Sequence, residues 1–329
     1  MKYRLWACLL FLPMVLWASG RPKVAVVLSG GGAKGTAHIG ALKVIEEAGI
    51  PIDYVVGTSM GAIVGGLYSI GYTPQQLDSM VNAQNWKFLL SDAPNPKDVL
   101  LDDRLKSERY VLSIPFSLKS AAVSDAGIIK GKNLARLFST LTEGYQDSVD
   151  FSRLPIPFAC VSENLVFHEG ILATSMRSSM SIPGVFAPVD LDGMVLVDGG
   201  MVNNYPVDVA LAMGADYIIG VDVQSPLLKA SELKSVKDIF GQIINLQGEK
   251  KYRENLRNTD VLIKVDVTGY SAASFTKEAI DTLMVRGERA AMDSWDGLLA
   301  LKRKLGLAED YQPRRPGPFR LPGAAVDRE

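Results

Sequence analysis

The sequence is poor in cysteine and histidine, with two of each among 329 residues. So little cysteine excludes a disulfide framework, and the fold must be held by its hydrophobic core. Cys160 lies in an apolar, strand-like run, which predicts core packing and not a thiol nucleophile. An excess of charge is also missing, because the formal net charge is −1. No overall electrostatic field therefore draws the chain to nucleic acid or to anionic lipid.

The N-terminal apolar stretch, residues 5–17, is shorter than the roughly 20 residues that span a bilayer. Lys2 and Arg4 precede it, and the small residues 18–20 follow it. This layout is typical of a secretory signal peptide, with a short uncleaved anchor as the alternative. We therefore expect residues 1–20 to be removed on export, which places the protein in the periplasm, at the outer membrane or outside the cell.

The first seventy residues of the mature chain alternate between strand and helix patterns. Residues 23–28 and 52–56 are short apolar runs typical of strands buried on both faces. A helical pattern follows each of them, over residues 36–48 and from Ser59 to about residue 70. Such alternation predicts an α/β fold with a mainly parallel central sheet. Further strands are predicted near 156–162, 185–189, 194–197, 217–223 and 260–265, and further helices near 132–141, 206–213, 231–256 and 276–304.

Two segments give little structural signal. Residues 84–130 combine prolines with scattered charges and are interpreted as a variable cap or insertion. Residues 312–329 are rich in proline, arginine and glycine, which predicts a disordered tail. The expected organisation is thus a signal peptide over 1–20, one catalytic domain over 21–311 and a tail over 312–329.

A nucleophile-elbow pattern, G-x-S-x-G, follows the second predicted strand as Gly57-Thr58-Ser59-Met60-Gly61. A serine on a sharp turn from strand to helix points outward, and the flanking glycines let neighbouring backbone pass without a clash. The helix that begins at Ser59 also favours developing negative charge at its N-terminus. The strand before the motif and the helix after it make Ser59 a candidate nucleophile.

A glycine-rich turn, Gly30-Gly31-Gly32-Ala33-Lys34-Gly35, follows the first predicted strand. It also fits the letters of a dinucleotide-binding motif, but that motif needs an acidic residue at the end of the second strand. Asp53 lies at the start of that strand instead. A phosphate-binding P-loop is disfavoured because Lys34 precedes the last glycine. An oxyanion hole built from backbone N–H groups is the better interpretation, beside the elbow at the carboxyl edge of the sheet.

The residue that activates Ser59 is less evident from the sequence. His168 follows Ser59 in the chain and permits a triad with Asp125 or Asp150, although its surroundings resemble a surface turn. His38, in the first helix, is a weaker candidate. Asp198 ends an apolar strand and precedes Gly199 and Gly200, so partial burial would raise its pKa and improve it as a base. On spelling alone, Asp198 fits a plain turn aspartate equally well.

Taken together and in this order, these motifs resemble the patatin-like phospholipase family, whose pattern is G-G-G-x-[KR]-G, then G-x-S-x-G, then D-G-[GA]. Residues 177–183 and 203–207 also resemble the stretches that flank the family's aspartate, and the similarity covers roughly residues 23–223. The resemblance implies a three-layer α/β/α sandwich and a Ser–Asp dyad without histidine, metal or cofactor. By position it implies Ser59 as nucleophile, Asp198 as base, an oxyanion loop of Gly30, Gly31, Gly32 and Lys34, and motif support from Gly57, Gly61, Gly199 and Gly200.

The resemblance also implies a substrate class. We expect acyl esters of phospholipids or other lipids at a membrane or micelle surface, and no nucleic-acid partner. Apolar residues near the motifs are candidates for an acyl channel, with plain core packing as the alternative, and they are Met60, Ile63, Leu67, Met176, Met180, Ile182, Val185 and Phe186. The sequence is similar to secreted bacterial members, in particular the passenger domains of patatin-type autotransporters. It leaves open the lipid head group, the bond that is cut and a homodimer as the oligomeric state. Two other functions stay under consideration, a non-catalytic lipid-binding protein on the same fold and a dinucleotide-binding oxidoreductase.

Overall fold

The computed structural model describes residues 21–94, 129–163, 165–227, 229 and 236–314. The predicted signal peptide, most of the segment 84–130 and residues 315–329 of the predicted tail lie outside these ranges. Residues 312–314 are described and have no regular secondary structure.

Ten β-strands occur within the described ranges, and most of those with four or more residues are apolar. They are β1 (Val24–Leu28), β2 (Tyr54–Thr58), β3 (Val149–Asp150), β4 (Phe158–Ser162), β5 (Leu165–Phe167), β6 (Glu169–Gly170), β7 (Val189–Leu191), β8 (Met194–Leu196), β9 (Tyr217–Asp222) and β10 (Val261–Lys264).

The same ranges contain ten α-helices. They are α1 (Ala37–Glu47), α2 (Met60–Ser69), α3 (Pro74–Asn82), α4 (Trp86–Leu89), α5 (Lys132–Leu141), α6 (Leu172–Ser179), α7 (Val207–Ala212), α8 (Val236–Arg257), α9 (Lys277–Asp293) and α10 (Trp295–Lys304). No helix in the described part of the chain combines the length and the apolar composition needed to cross a bilayer.

The central sheet has the strand order β10-β9-β1-β2-β4-β5. Its first five strands are parallel, and β5 pairs antiparallel with β4 at the edge. Alternate residues of β1 belong to different cores. Val24, Val26 and Leu28 pack with residues of α1, α2 and α9. Ala25 and Val27 pack on the other face, with residues of α7 and α8. Helices thus cover both faces, which confirms the predicted α/β/α architecture with a mainly parallel sheet.

Several predicted boundaries differ from the structure. The strand expected at 185–189 begins only at Val189, because Phe186 makes a single parallel bridge to Ile129 and no longer ladder. The helix expected over 276–304 is two helices separated at Ser294, which ends α9 and begins α10. The first helix is preceded by a 3-10 turn, Gly32–Thr36, that the glycine-rich sequence did not predict.

Candidate active site

The candidate site lies where four adjacent parallel strands end at one edge of the sheet. Register pairs Leu28 of β1 with Gly57 of β2 and with Val221 of β9. The glycine-rich turn therefore leaves β1 beside the point where Ser59 leaves β2. On the other side of β2, Ser162 at the end of β4 forms a bridge with Asp198. The order of the strands thus gathers segments that are far apart in the sequence.

Ser59 occupies the sharp turn between β2 and α2. Its φ of 55° and ψ of −121° are sparsely populated by residues other than glycine, as a nucleophile elbow requires. A Cβ at Gly57 would overlap the Gly61 carbonyl, and a Cβ at Gly61 would overlap the backbone of Leu28. The two motif glycines are therefore needed for close backbone packing. The Ser59 N–H donates to Ser179 Oγ at 2.9 Å, and this bond holds the turn against the end of α6.

Asp198 lies directly opposite Ser59, and both residues are almost fully buried. Ser59 Oγ donates a hydrogen bond of 2.7 Å to Asp198 Oδ2. The Gly200 N–H donates to the other carboxylate oxygen, Oδ1, at 2.7 Å, and the Asp198 N–H donates to the Ser181 carbonyl at 3.0 Å. A Cβ at Gly199 would overlap the Val161 carbonyl, so the D-G-G sequence lets this loop press against the end of β4. The carboxylate is thus fixed at both oxygens.

Burial raises the pKa of the Asp198 carboxyl group to about 6. The hydrogen bonds from the Gly200 N–H and the Ser59 hydroxyl stabilise the charged form and oppose part of this rise. A carboxylate with such a pKa is mostly ionised at neutral pH. It also accepts a proton more readily than an ordinary aspartate, because a base works best when its pKa is close to the working pH.

The glycine-rich turn presents two backbone donors. The Gly30 N–H is already bonded to the Asn204 carbonyl at 3.0 Å. The Gly31 and Gly32 N–H groups have no acceptor among the described residues. Gly32 begins the 3-10 turn, whose first N–H groups have no partner within the turn. Of the three predicted loop glycines, Gly31 and Gly32 therefore have the free N–H groups that an oxyanion would need.

Lys34 extends from the 3-10 turn toward the loop that follows β9. Its Nζ donates to Ser225 Oγ at 2.9 Å. Burial, and then the nearby positive charge of Lys264, lower the Lys34 pKa to about 8, while Asp222 partly opposes the shift. Lys34 is therefore mostly protonated at neutral pH. Its side chain therefore connects the oxyanion loop to the loop that follows β9.

Neither histidine approaches Ser59 in the manner of a triad. His38 is buried beneath the glycine-rich turn, with Nε2 at 2.8 Å from the Ser29 carbonyl oxygen. Burial lowers the His38 pKa to about 4, so its ring is neutral. His168 is exposed between β5 and β6 and lines a separate groove, to which neither Ser59 nor Asp198 contributes. Asp150 lines that groove as well, whereas Asp125 lies outside the described residues.

The acid that a dinucleotide site would need is at the wrong end of its strand. Asp53 precedes β2 and is bonded to Arg21 and Lys23, with the closest distance 2.6 Å from Asp53 Oδ2 to Arg21 Nη1. It therefore lies at the edge of the sheet opposite Ser59. Within the described residues, no group of three or more His, Cys, Asp and Glu side chains is arranged to hold a metal ion.

The dyad opens into a pocket of about 240 Å³. The apolar side chains of Ile182 and Met201 line this pocket, together with the glycine-rich turn and Lys34. Of the apolar residues that the sequence suggested for an acyl channel, only Ile182 lines this pocket. Met60, Ile63 and Leu67 line an internal cavity of about 20 Å³, which is too small for an acyl chain. The remaining candidates, Met176, Met180, Val185 and Phe186, line neither cavity.

Two supporting residues were not identified from the sequence. Ser179 accepts from the Ser59 N–H and donates to the Val161 carbonyl, so it connects the elbow to β4. Asn204 binds Gly30 through its backbone carbonyl and through Nδ2, at 3.0 and 3.4 Å. Both residues lie in the stretches that resemble the family's flanking sequences. That resemblance was the available signal, although it assigned no role to either residue.

A sequence model of the patatin-like phospholipase family matches residues 26–211, more than half of the chain. The chain belongs to the patatin-like phospholipase family. The matched region contains the glycine-rich turn, the elbow and the Asp198 loop. Membership in this family supports lipid hydrolysis as the class of reaction and confirms the resemblance inferred from the motifs.

Two curated relatives illustrate the range of the family. The chain is 27% identical to "Lysophospholipase NTE1" of Mycosarcoma maydis, in an alignment that covers 83% of this chain and 15% of the fungal protein. It is 32% identical to "Patatin-like phospholipase domain-containing protein 6" of Homo sapiens, in an alignment that covers 61% of this chain and 13% of the human protein. The chain therefore spans only about a seventh of the length of these relatives.

Among solved structures, the crystal structure of VipD from Legionella pneumophila is similar to this chain, with a TM-score of 0.42 and 17% sequence identity. The similarity covers 84% of this chain and 67% of the VipD chain.

Proposed function

We propose that this chain is a serine acyl hydrolase that cleaves fatty-acyl esters of lipids through Ser59 and Asp198. The observation that carries the proposal is the 2.7 Å hydrogen bond from Ser59 Oγ to Asp198 Oδ2, in a buried site at the end of the sheet. The hydroxyl and the carboxylate lie at the distance that direct proton transfer needs. The family to which the chain belongs supports the same class of reaction.

The proposed reaction has two acyl-transfer steps. As Ser59 Oγ bonds to the ester carbonyl carbon, its proton passes to Asp198 Oδ2, and the carbonyl oxygen becomes an oxyanion that the Gly31 and Gly32 N–H groups stabilise. The C–O bond to the alcohol then breaks, and the departing oxygen takes the proton from Asp198. Asp198 next accepts a proton from a water molecule that attacks the acyl-enzyme. When the acyl bond to Ser59 breaks, that proton returns to Oγ and the fatty acid is released.

We propose single-chain phospholipids as the first substrates to test, because the fungal relative is named a lysophospholipase. The pocket of about 240 Å³ accommodates the ester and part of one chain. Such lipids are presented by membranes and micelles, which we propose as the surface on which the enzyme acts. We also propose export through residues 1–20.

The first experiment is labelling of the purified protein with a fluorophosphonate, which reacts with an activated serine. We expect labelling of the native chain and none of Ser59→Ala, together with release of fatty acid from lysophospholipid micelles by the native chain alone. Ser69→Ala is the matched control, since Ser69 is buried in α2 but lies at its opposite end. Absence of labelling in folded native protein would overturn the proposal and favour a non-catalytic lipid-binding protein.

The pH dependence of the reaction follows from the raised pKa of Asp198. Since the base must be ionised to accept the serine proton, kcat/KM for a soluble ester should rise with pH through about 6 and then level off. Below that value it should fall about tenfold for each pH unit. The measurement is a pH–rate profile of the native chain and of His168→Ala. If the His168→Ala variant lost the ionisation, a histidine and not Asp198 would be the base.

A further inference from the structure

A second pocket of about 350 Å³ adjoins the one that contains the dyad. The two share a wall formed by Gly200, Asn204, Gln224 and Ser225. Beyond this wall the second pocket extends to α8 and to the end of β10, where Glu249, Tyr252 and Lys264 line it. A substrate whose ester lies at Ser59 therefore has a second space next to it.

Gln224, in the shared wall, has an unsatisfied donor. Its Oε1 accepts a hydrogen bond from Asn204 Nδ2 at 2.8 Å, and its backbone N–H donates to Asp222 Oδ1 at 2.9 Å. The bond to Asn204 fixes the orientation of the amide, so the other end is the NH₂ group. That group, Nε2, is buried and has no acceptor among the described residues. Buried polar groups in native proteins are almost always paired, which makes this one a candidate for contact with a ligand.

Two lysines contact the same wall. Lys34 Nζ donates one hydrogen bond to Ser225 Oγ, which leaves the Ser225 hydroxyl hydrogen free to donate in turn. Lys264 Nζ is bonded to Asp222 Oδ2, the Gln224 carbonyl and, more distantly, the Tyr252 hydroxyl. The charge of Lys264 is thus paired with Asp222, and its hydrogen atoms are already used. The groups that remain, an amide NH₂, a hydroxyl and an ammonium, are all donors and suit an anionic oxygen ligand.

The acidic groups of the second pocket lie elsewhere. The Asp222 carboxylate is fully buried and is neutralised by Lys264. Glu249 is paired with Arg253 at 2.6 Å and lines the second pocket but not the catalytic one. Lys34 therefore lines the pocket that contains the dyad, whereas Glu249 lines only the second pocket.

We propose that Gln224 and Ser225, beside Lys34, bind the phosphate group of the substrate's head group, and that the second pocket holds the remainder of that head group. This inference rests on the proposed lipid hydrolysis and adds a residue that determines specificity. In a lysophospholipid the phosphate and the ester are attached to the same glycerol unit. One molecule can therefore place its ester at Ser59 and its phosphate at the adjoining wall.

The test compares two substrates with the same acyl chain, a lysophospholipid and a monoacylglycerol that lacks the phosphate. Gln224→Glu keeps the acceptor that Asn204 needs and replaces only the donor, with a negative charge in its place. We expect the ratio of kcat/KM for the lysophospholipid to kcat/KM for the monoacylglycerol to fall at least tenfold, because like charges repel. Gln224→Met removes the donor without adding charge, and it also removes the acceptor of Asn204. Because the loss of that acceptor affects both substrates, the ratio should still fall about threefold to tenfold. Gln75→Glu, an exposed change in α3 that lines neither pocket, should leave the ratio unchanged.

The outcomes separate this inference from the proposed function. If the native chain cleaves both lipids and neither Gln224 variant changes the ratio, the phosphate subsite is wrong and the hydrolase stands. If the native chain cleaves neither lipid, both proposals fail. Inorganic phosphate provides a further comparison. If it inhibits monoacylglycerol cleavage by the native chain but not by Gln224→Glu, while the ratio stays constant, the wall binds free phosphate and not the lipid head group. A purely structural role for Gln224 would lower both activities equally.

Discussion

Asp198→Asn is expected to lower kcat for ester hydrolysis about 10⁴-fold, since a positioned base contributes roughly 10²–10⁴ and the dyad has no second one. The substitution keeps the size of the side chain and its bond from the Gly200 N–H. Ser59 Oγ also keeps a hydrogen-bond partner, now as acceptor from the new amide. Only the ability to accept a proton is lost. Steady-state kinetics on a soluble ester would measure the effect without interference from lipid packing.

The same substitution is expected to stabilise the fold at neutral pH. The Asp198 pKa is raised on folding from 3.8 to about 6, so the folded state binds the proton more tightly than the unfolded state. The favourable contribution of the Asp198 carboxyl group to folding is therefore fully present below pH 3.8, and it is lost as the pH rises through about 6. A neutral amide avoids the cost of burying the charge. The free energy of unfolding at neutral pH should rise by about 1–3 kcal/mol, measured by denaturant titration.

Asp190→Asn is the matched control, because Asp190 is an exposed acid in the β7–β8 hairpin that directly precedes the Asp198 loop. It should change neither kcat nor stability. Loss of activity together with loss of stability in Asp198→Asn would show that the carboxylate mainly holds the loop together. Near-native activity would show that another group is the base. The combination of much lower activity and higher stability is what a buried catalytic carboxylate predicts.

Ser59 illustrates what the sequence could establish about the site. The motif gives the spacing of the glycines, and the flanking patterns give the strand and the helix, which together determine the turn. Local sequence does not identify its partner, because Asp198 lies 139 residues away and is positioned by a β-bridge to Ser162 at the end of β4. Nothing in its own spelling distinguishes it from a turn aspartate. The family resemblance supplied the pairing, and the structure brings the two side chains together.

Asn204 and Gln224 show why other residues escaped sequence analysis. Each is a single polar residue in a loop, and its contacts depend on β9 and β1 being neighbours although about 190 residues separate them. Local patterns cannot reveal that adjacency. Ser294 escaped for a different reason. The apolar spacing continues from α9 into α10 without a proline, and a serine, although favoured at an N-cap, does not by itself mark a break.

Gly32→Ala is expected to lower kcat by about 10²–10³-fold, the usual effect of losing one oxyanion donor. Gly32 has a φ of +57°, a left-handed conformation that costs an alanine roughly 1–2 kcal/mol. A Cβ there would also overlap the carbonyl oxygen and the Cα of Ala272. Ala272 accepts a hydrogen bond from the Ala33 N–H at 2.9 Å, so the glycine-rich turn would have to shift away from this contact. The Gly31 and Gly32 N–H groups would then no longer point to the position of the oxyanion.

Gly306→Ala separates the clash from the backbone strain. Gly306 has a φ of +70°, yet a Cβ there meets no atom within 4 Å. The Gly306→Ala variant should lose the roughly 1–2 kcal/mol that the left-handed conformation costs an alanine, and it should keep its activity. The measurement is kcat on a soluble ester together with the rate of fluorophosphonate labelling, which also needs a stabilised oxyanion. Because Asp198 and Ser59 are untouched, slow labelling in Gly32→Ala with normal labelling in Gly306→Ala would assign the stabilisation to the turn after β1. Equal rates in both variants would mean that the oxyanion is stabilised elsewhere, with the N-terminus of α2 as the nearest remaining source of N–H groups.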